Sequence, residues 1–103
     1  MKTYIDEINE RIKFVQSVTE KSAPLYQQIE GFGLVPPVEM ALKDMLFYIL
    51  DSAFSGMILS ADYMALDLAA IVNVLPIPGE KKDQFTASVK ELRRFFNHEV
   101  VIW

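Results

Sequence analysis

One long apolar stretch constrains the fold of this chain more than any other feature. Between Val38 and Ile77 two successive helical patterns are apolar almost all the way round, and Lys43 is the only basic residue among them. A helix that is hydrophobic on every side has to be buried by other elements. In a chain of 103 residues this is possible only if the remaining helices wrap around the apolar pair. The stretch therefore predicts a compact all-α domain with some apolar surface left for a partner.

Composition limits both the chemistry and the partners. The chain has no cysteine, which removes disulfides, thiolate catalysis and cysteine-ligated metal sites. Its net charge of −4 does not favour nucleic-acid binding. The longest uncharged run, Leu68–Gly79, is well short of the roughly 18 residues of a membrane span, and acidic residues stand where a signal peptide would need an apolar core. We therefore expect a single cytoplasmic domain over residues 1–103 with no membrane span and no nucleic-acid partner.

The first part of the chain carries a clear helical pattern. Four aliphatic residues at 3-4-3 spacing predict a buried stripe on a helix over Tyr4–Lys21, and they are Ile5, Ile8, Ile12 and Val15. Ser22 followed by Pro24 predicts a break, because proline is well tolerated in the first turn of a helix. A short second helix is then expected over Pro24–Glu30.

Three longer helices are expected in the rest of the chain. Their predicted ranges are Pro37–Ala53, Ser60–Leu75 and Lys81–Asn97. Ser60 is a favourable residue for capping the fourth helix. On the fifth, a 4-3-4 stripe predicts a buried side, consisting of Phe85, Val89, Leu92 and Phe96. The expected architecture is a compact four- to five-helix bundle in which the third and fourth helices form a central hairpin.

The corner between the two apolar helices resembles a calcium-binding loop. Asp51–Asp62 has the twelve-residue length of an EF-hand loop, acids at both ends and Gly56 at the position of the sharp turn. Ala53 and Leu59 stand at ligand positions and carry no side-chain oxygen. Since calcium takes about six to eight oxygen ligands, we expect a structural corner. A helical metal- or ligand-binding domain that uses this corner is the alternative.

The same corner is similar to one in a known family. Gly56 followed by Ser60 and Asp62, between two apolar helices, resembles the corner of the tellurite-resistance TerB-like helical family. The resemblance covers only the corner and its two helices. It implies a helical architecture of similar outline, and no function is carried across.

Acidic residues on the two apolar helices raise the question of catalysis. Asp44 and Asp51 are seven residues apart and share a helix side, as do Tyr63 and Asp67, which are four apart. A di-metal site in a bundle uses Glu-x-x-His pairs, and the chain has only one histidine, His98. We therefore expect these acids at the solvent edges of buried helices. The sequence predicts no catalytic residue, no metal ligand and no cofactor.

Two features near the end of the chain are candidates for partner binding. Lys90, Arg93 and Arg94 form a basic patch at i, i+3 and i+4 that is either a solvated face or a docking site. The apolar segment Val100–Trp103 is expected to fold back onto the bundle or insert into another chain, with Trp103 as an anchor. The candidate partner-binding residues are Phe95, Val101, Ile102, Trp103, Lys90, Arg93 and Arg94.

These features predict a function without catalysis. We expect a protein–protein interaction module that acts as a small adaptor, regulator or immunity-type protein. Its partner is another protein or a second copy of the chain in a homodimer. The absence of cysteine and of a legible catalytic arrangement, together with the surplus of apolar residues, motivates this expectation.

Overall fold

The protein is built from helices alone in the part that the structure describes. The computed structural model describes residues 1–98, and it contains no strand there. Four helices follow one another along this range: α1 (Tyr4–Glu30), α2 (Pro36–Phe54), α3 (Ile58–Asn73) and α4 (Gly79–His98). This confirms the predicted all-α class. None of these four helices is both long enough and apolar enough to cross a bilayer.

The four helices form a ring in chain order. Each packs against the helices before and after it, and α4 closes the ring by packing against α1. Short connections between consecutive helices make neighbours antiparallel, as in an up-down-up-down bundle. Gly33 and Gly56 have φ angles of 71° and 84°, in the left-handed region that glycine adopts without strain, and they lie at the first two corners. α2 and α3 pack against each other, and both also keep an exposed side.

The core runs along the inside of this ring. The predicted stripe on α4 is confirmed, since Phe85, Val89, Leu92 and Phe96 are all buried. The other three helices contribute mainly aliphatic side chains that have almost no solvent exposure, including Leu25, Ile29, Leu46, Ile49, Leu68 and Val72.

The predicted break at Pro24 is wrong, because α1 continues through this residue. Proline has no backbone N–H, so the carbonyl of Glu20 loses its usual helical hydrogen bond. Just before it, the Ser22 hydroxyl donates to the Thr19 carbonyl at 3.0 Å. Ser22 and Leu25 on either side are buried against the bundle. We attribute the continuity of α1 to this burial, which outweighs the local cost of the proline.

The predicted buried stripe on the first helix is also wrong. Ile5, Ile8, Ile12 and Val15 are 69%, 36%, 49% and 38% exposed. The bundle instead buries Phe14, Val18, Leu25 and Ile29 of α1. The reason is length, since α1 has 27 residues while its neighbours have 16 to 20.

The first ten residues of α1 extend beyond the rest of the bundle. We call residues 4–13 the overhang, and none of residues 1–13 is buried. Its helix is stabilised locally by a capping box, in which the Thr3 hydroxyl accepts from the Asp6 N–H and the Asp6 carboxylate accepts from the Thr3 N–H. The hydrogen bond from the Thr3 backbone N–H to the carboxylate is the main cause that lowers the pKa of Asp6, and the Thr3 side chain adds to the effect. Lys2 and Glu10 add an ion pair at 2.9 Å.

The start of α4 holds the ends of two other helices. Neither α1 nor α3 has a basic residue in its own last turn. Lys81 donates to the Gly31 carbonyl at 2.6 Å, and Lys82 donates to the Asn73 carbonyl at 2.9 Å. Two adjacent lysines of α4 therefore satisfy carbonyls at the C-terminal ends of both neighbouring helices.

Replacing Pro24 by alanine should stabilise the protein. Pro24→Ala restores the hydrogen bond to the Glu20 carbonyl and relieves the clash of the proline ring. It also gives the unfolded chain more conformational freedom, which lowers the stability by a smaller amount. We expect a gain of about 1–2 kcal/mol in the free energy of unfolding, measured by denaturant titration. Pro37→Ala is the matched control, because Pro37 lies in the first turn of α2, where proline costs little. An equal gain in both variants would contradict the explanation.

Candidate partner-binding surfaces

A polar cluster joins α3 to α4 inside the bundle. Asp62, which is buried, accepts hydrogen bonds from Arg93 Nε at 2.9 Å and from Arg93 Nη2 at 3.3 Å. Asn97 Nδ2 donates to the same carboxylate at 3.1 Å. The hydrogen bonds that Arg93 donates to Asp62 raise the pKa of Arg93, and the partial desolvation of Arg93 acts in the opposite direction. A carboxylate in this position is satisfied by three donors, so its charge is compensated within the fold.

This cluster changes the interpretation of the Asp51–Asp62 corner. Gly56 makes the expected sharp turn, but α3 already begins at Ile58, and Met57 precedes it without a side-chain cap. The prediction that Ser60 caps this helix is therefore wrong. Asp62 is buried and its carboxylate is engaged by α4, whereas Asp44, Asp51 and Asp67, the acids expected at solvent edges, are exposed. Within residues 1–98 no three His, Cys, Asp or Glu side chains are grouped to hold a metal ion.

Several predicted partner-binding residues have contacts within the bundle. Phe95 is buried and stacks on Phe14, with ring centroids 5.5 Å apart. Arg93 binds Asp62, and the exposed Arg94 pairs with Glu91 at 3.3 Å. Lys90 is exposed. Val101, Ile102 and Trp103, with the rest of the Val100–Trp103 segment, lie outside the described residues.

Exposed apolar side chains are concentrated on three of the four helices. Besides the stripe on α1, α2 exposes Met40, Phe47, Tyr48 and Phe54, and α3 exposes Leu59, Tyr63, Leu66 and Ile71. Within Gly79–Asn97, α4 exposes no large hydrophobic side chain. The exposed apolar surface is therefore spread over α1, α2 and α3 and spares α4 within this range, and large exposed apolar patches are typical of proteins that bind a partner there.

The seam between α2 and α3 can be located from contacts on their other flanks. Lys43 pairs with Glu30 of α1, so this flank of α2 faces α1. Two residues further along a helix the direction turns by about 200°, which directs the half-buried Met45 toward α3. In the same way, Asp62 faces α4, and the half-buried Met64 is directed toward α2. The two methionines therefore lie at the α2–α3 seam.

Aspartates and a tyrosine border this seam. Met45 lies as many residues before the end of α2 as Asp67 lies after the start of α3, so the two residues are at the same height along the antiparallel helices. The same is true of Tyr48 and Met64. Asp44 and Asp51 lie one helical turn from Tyr48 on its two sides, and all three are exposed. We call this surface the α2–α3 face and define it by Asp44, Met45, Tyr48, Asp51, Met64, Asp67 and Ile71.

The acids of the α2–α3 face have no cationic partner in the described part of the chain. Lys43 is the nearest basic residue in sequence to Asp44 and Asp51, and it pairs with Glu30 at 3.3 Å and Glu39 at 3.6 Å. Partial desolvation acts to lower the pKa of Lys43, but the hydrogen bonds and charges of the two glutamates outweigh it and leave the pKa raised. Among residues 1–98, therefore, no cation compensates the negative charge of Asp44, Asp51 and Asp67.

A small cavity opens where the end of α1 meets the start of α4. It has a volume of about 160 Å³ and is lined by Gln28, Gly31, Phe32, Lys81 and Gln84. Binding pockets for cofactors and drug-sized molecules usually measure about 300–1,000 Å³. This cavity is too small for such a ligand.

The sequence analysis identified Asp62 and Arg93 but assigned them to two separate features. A signal for their pairing was present, because Asp62 lies between Ala61 and Ala65 on the side of α3 that carries small buried residues. An acid in that position needs a cation from a neighbouring helix.

Comparison of the chain with protein-family models, with curated proteins and with solved structures finds no match.

Removing the Asp62 carboxylate should destabilise the bundle. Asp62→Ala leaves Arg93 and Asn97 without their shared acceptor, so we expect a loss of about 2 kcal/mol in the free energy of unfolding. Asp67→Ala is the matched control on the same helix, since Asp67 is exposed and should change stability by less than about 0.5 kcal/mol. Similar losses in the two variants, measured by denaturant titration, would show that the pair contributes nothing specific.

Proposed function

We propose that this chain is a non-catalytic protein–protein interaction module, an adaptor or regulator, whose α2–α3 face binds a basic amphipathic segment of another protein. The proposal is carried by the combination, on one face, of exposed and half-buried apolar side chains with three aspartates that have no cationic partner in the part of the chain that the structure describes. A role without catalysis is supported by the sequence, which has no cysteine and a single histidine. The lack of cysteine also fits a cytoplasmic protein.

The charge of the face determines the kind of partner. Asp44, Asp51 and Asp67 attract a cationic segment and repel an acidic one. Because these carboxylates are exposed, the attraction should act on encounter and weaken as salt is added. A partner with lysines or arginines bordering an apolar stripe would satisfy both components of the face.

The apolar part of the face suits a helical partner. Met45 and Met64 at the seam are unbranched and adapt to different side chains, a property of grooves that accept amphipathic helices. Tyr48, whose side chain is exposed, extends the apolar surface. Aromatic residues and methionine are enriched where proteins bind one another.

The face can be tested with a model cationic helix. We expect a fluorescein-labelled leucine–lysine amphipathic peptide to bind by fluorescence anisotropy, and a leucine–glutamate peptide not to bind. The triple variant Asp44→Asn, Asp51→Asn and Asp67→Asn should weaken binding about tenfold, since each exposed pair contributes roughly 0.2–1 kcal/mol.

The matched control changes the net charge by the same amount elsewhere. Glu20→Gln, Glu80→Gln and Asp83→Asn alter exposed acids of α1 and α4, and this variant should retain the affinity within about twofold. An equal loss in both triple variants would mean that the peptide senses only the net charge. No binding of the cationic peptide would contradict the proposed face.

A further inference from the structure

The overhang presents an apolar surface that is separate from the α2–α3 face. Ile5, Ile8, Ile12 and Val15 follow one side of α1 and keep between 36% and 69% of their surface exposed. Ile8, Ile12 and Val15, together with Arg11 and Gln16, line a shallow depression along this side. The overhang has about 15 Å of helix beyond the bundle. We call the four aliphatic residues the Ile stripe.

The Ile stripe lies on the flank of α1 that is turned away from α4. Phe14, Lys21 and Gln28 recur every seven residues and contact α4: Phe14 and Lys21 contact the ring of Phe95, and Gln28 donates to Ser88 at 2.8 Å. Ile12 precedes Phe14 by two residues, a rotation of about 200°. α4 therefore packs against the side of α1 opposite to the stripe and does not itself cover the stripe.

The charges around the stripe suit a surface that pairs with a copy of itself. Between Lys2 and Lys13 the chain has three basic and three acidic side chains, so this segment has no net side-chain charge. Two copies would not repel each other here. On the acidic α2–α3 face, by contrast, like charges would oppose self-association.

The spacing of the stripe reads the same in both directions. A 3-4-3 pattern is symmetric about its centre, so an antiparallel copy places Ile5 against Val15 and Ile8 against Ile12. Such a two-fold contact uses the same patch on both molecules. Apolar residues at alternating spacings of three and four are also those that interlock between paired helices.

We propose that the Ile stripe is the contact of a homodimer in which the overhangs of two copies pack antiparallel. Each copy covers the aliphatic side chains that the other leaves exposed, and the two bundles lie at opposite ends of the helix pair. This proposal stands on the Ile stripe alone and does not depend on the function of the α2–α3 face.

Solution mass tests the proposal directly. We expect light scattering on the full chain, over about 1–500 µM, to show a monomer that becomes a dimer as concentration rises, as a small interface requires. Ile8→Glu with Ile12→Glu should remain monomeric throughout this range. Val35→Glu with Val74→Glu introduces the same charge at two exposed aliphatic residues outside the stripe and should dimerise like the original chain. Circular dichroism establishes that the variants keep their helix content.

Three results would overturn the dimer contact. The first is a monomer at every concentration, and the second is a dimer that survives the double substitution. The third is a dimer that is lost on Trp103→Ala in the full chain, which would move the contact away from the overhang.

Disulfide formation between introduced cysteines determines the relative orientation of the two helices. The result is easy to interpret because the chain has no cysteine of its own. In an equimolar mixture of an Ile8→Cys chain and an Ile12→Cys chain, the antiparallel contact should form mainly the disulfide between the two different chains. Predominant disulfides between two Ile8→Cys chains would instead indicate parallel helices and overturn the antiparallel arrangement. The outcome is measured by mass spectrometry of the oxidised mixture.

Discussion

The length of α1 relative to its neighbours is the constraint on which the rest of the structure depends. In a closed ring of four helices, each helix is covered only over the length that its two neighbours share with it. Helices of 16 to 20 residues cover at most about 30 Å, whereas α1, with 27 residues, is about 40 Å long. The core therefore begins at Phe14, and everything before it has to be stabilised by local bonds or by another molecule. The same ring leaves the outer sides of α2 and α3 exposed, although their sequences are apolar nearly all round.

Where local sequence decides the structure, the prediction from sequence was close. The ranges predicted for two helices, Pro37–Ala53 and Lys81–Asn97, differ from α2 and α4 by at most two residues at each end. Their apolar periodicity is strong, and proline or glycine marks their boundaries. Where tertiary packing decides, the prediction was wrong. Pro24 continues a helix because the residues around it are buried. The Ile stripe has a core-like pattern, but no neighbour in the bundle is long enough to cover it.

The candidate surfaces were predictable only in part, for a related reason. Sequence spacing places Asp44 with Asp51 and Ile5 with Ile12, because both pairs lie on single helices. It does not reveal which flank of a helix faces which neighbour. That information came from contacts between helices, such as Arg93 with Asp62 and Lys43 with Glu30. These pairs also explain why Arg93 binds within the bundle, although sequence alone groups it with Lys90 and Arg94 in one basic patch.

The two lysines at the start of α4 have a consequence for how the bundle opens. Cations near the N-terminus of their own helix are unfavourable, because that end carries the positive part of the helix dipole. Lys81 and Lys82 are instead stabilised by the carbonyls of Gly31 and Asn73, at the ends of α1 and α3. The first turn of α4 is thus thermodynamically coupled to the last turns of two other helices. We therefore expect these three segments to open as one cooperative unit, with the amide protons at this end of the molecule exchanging through a common opening.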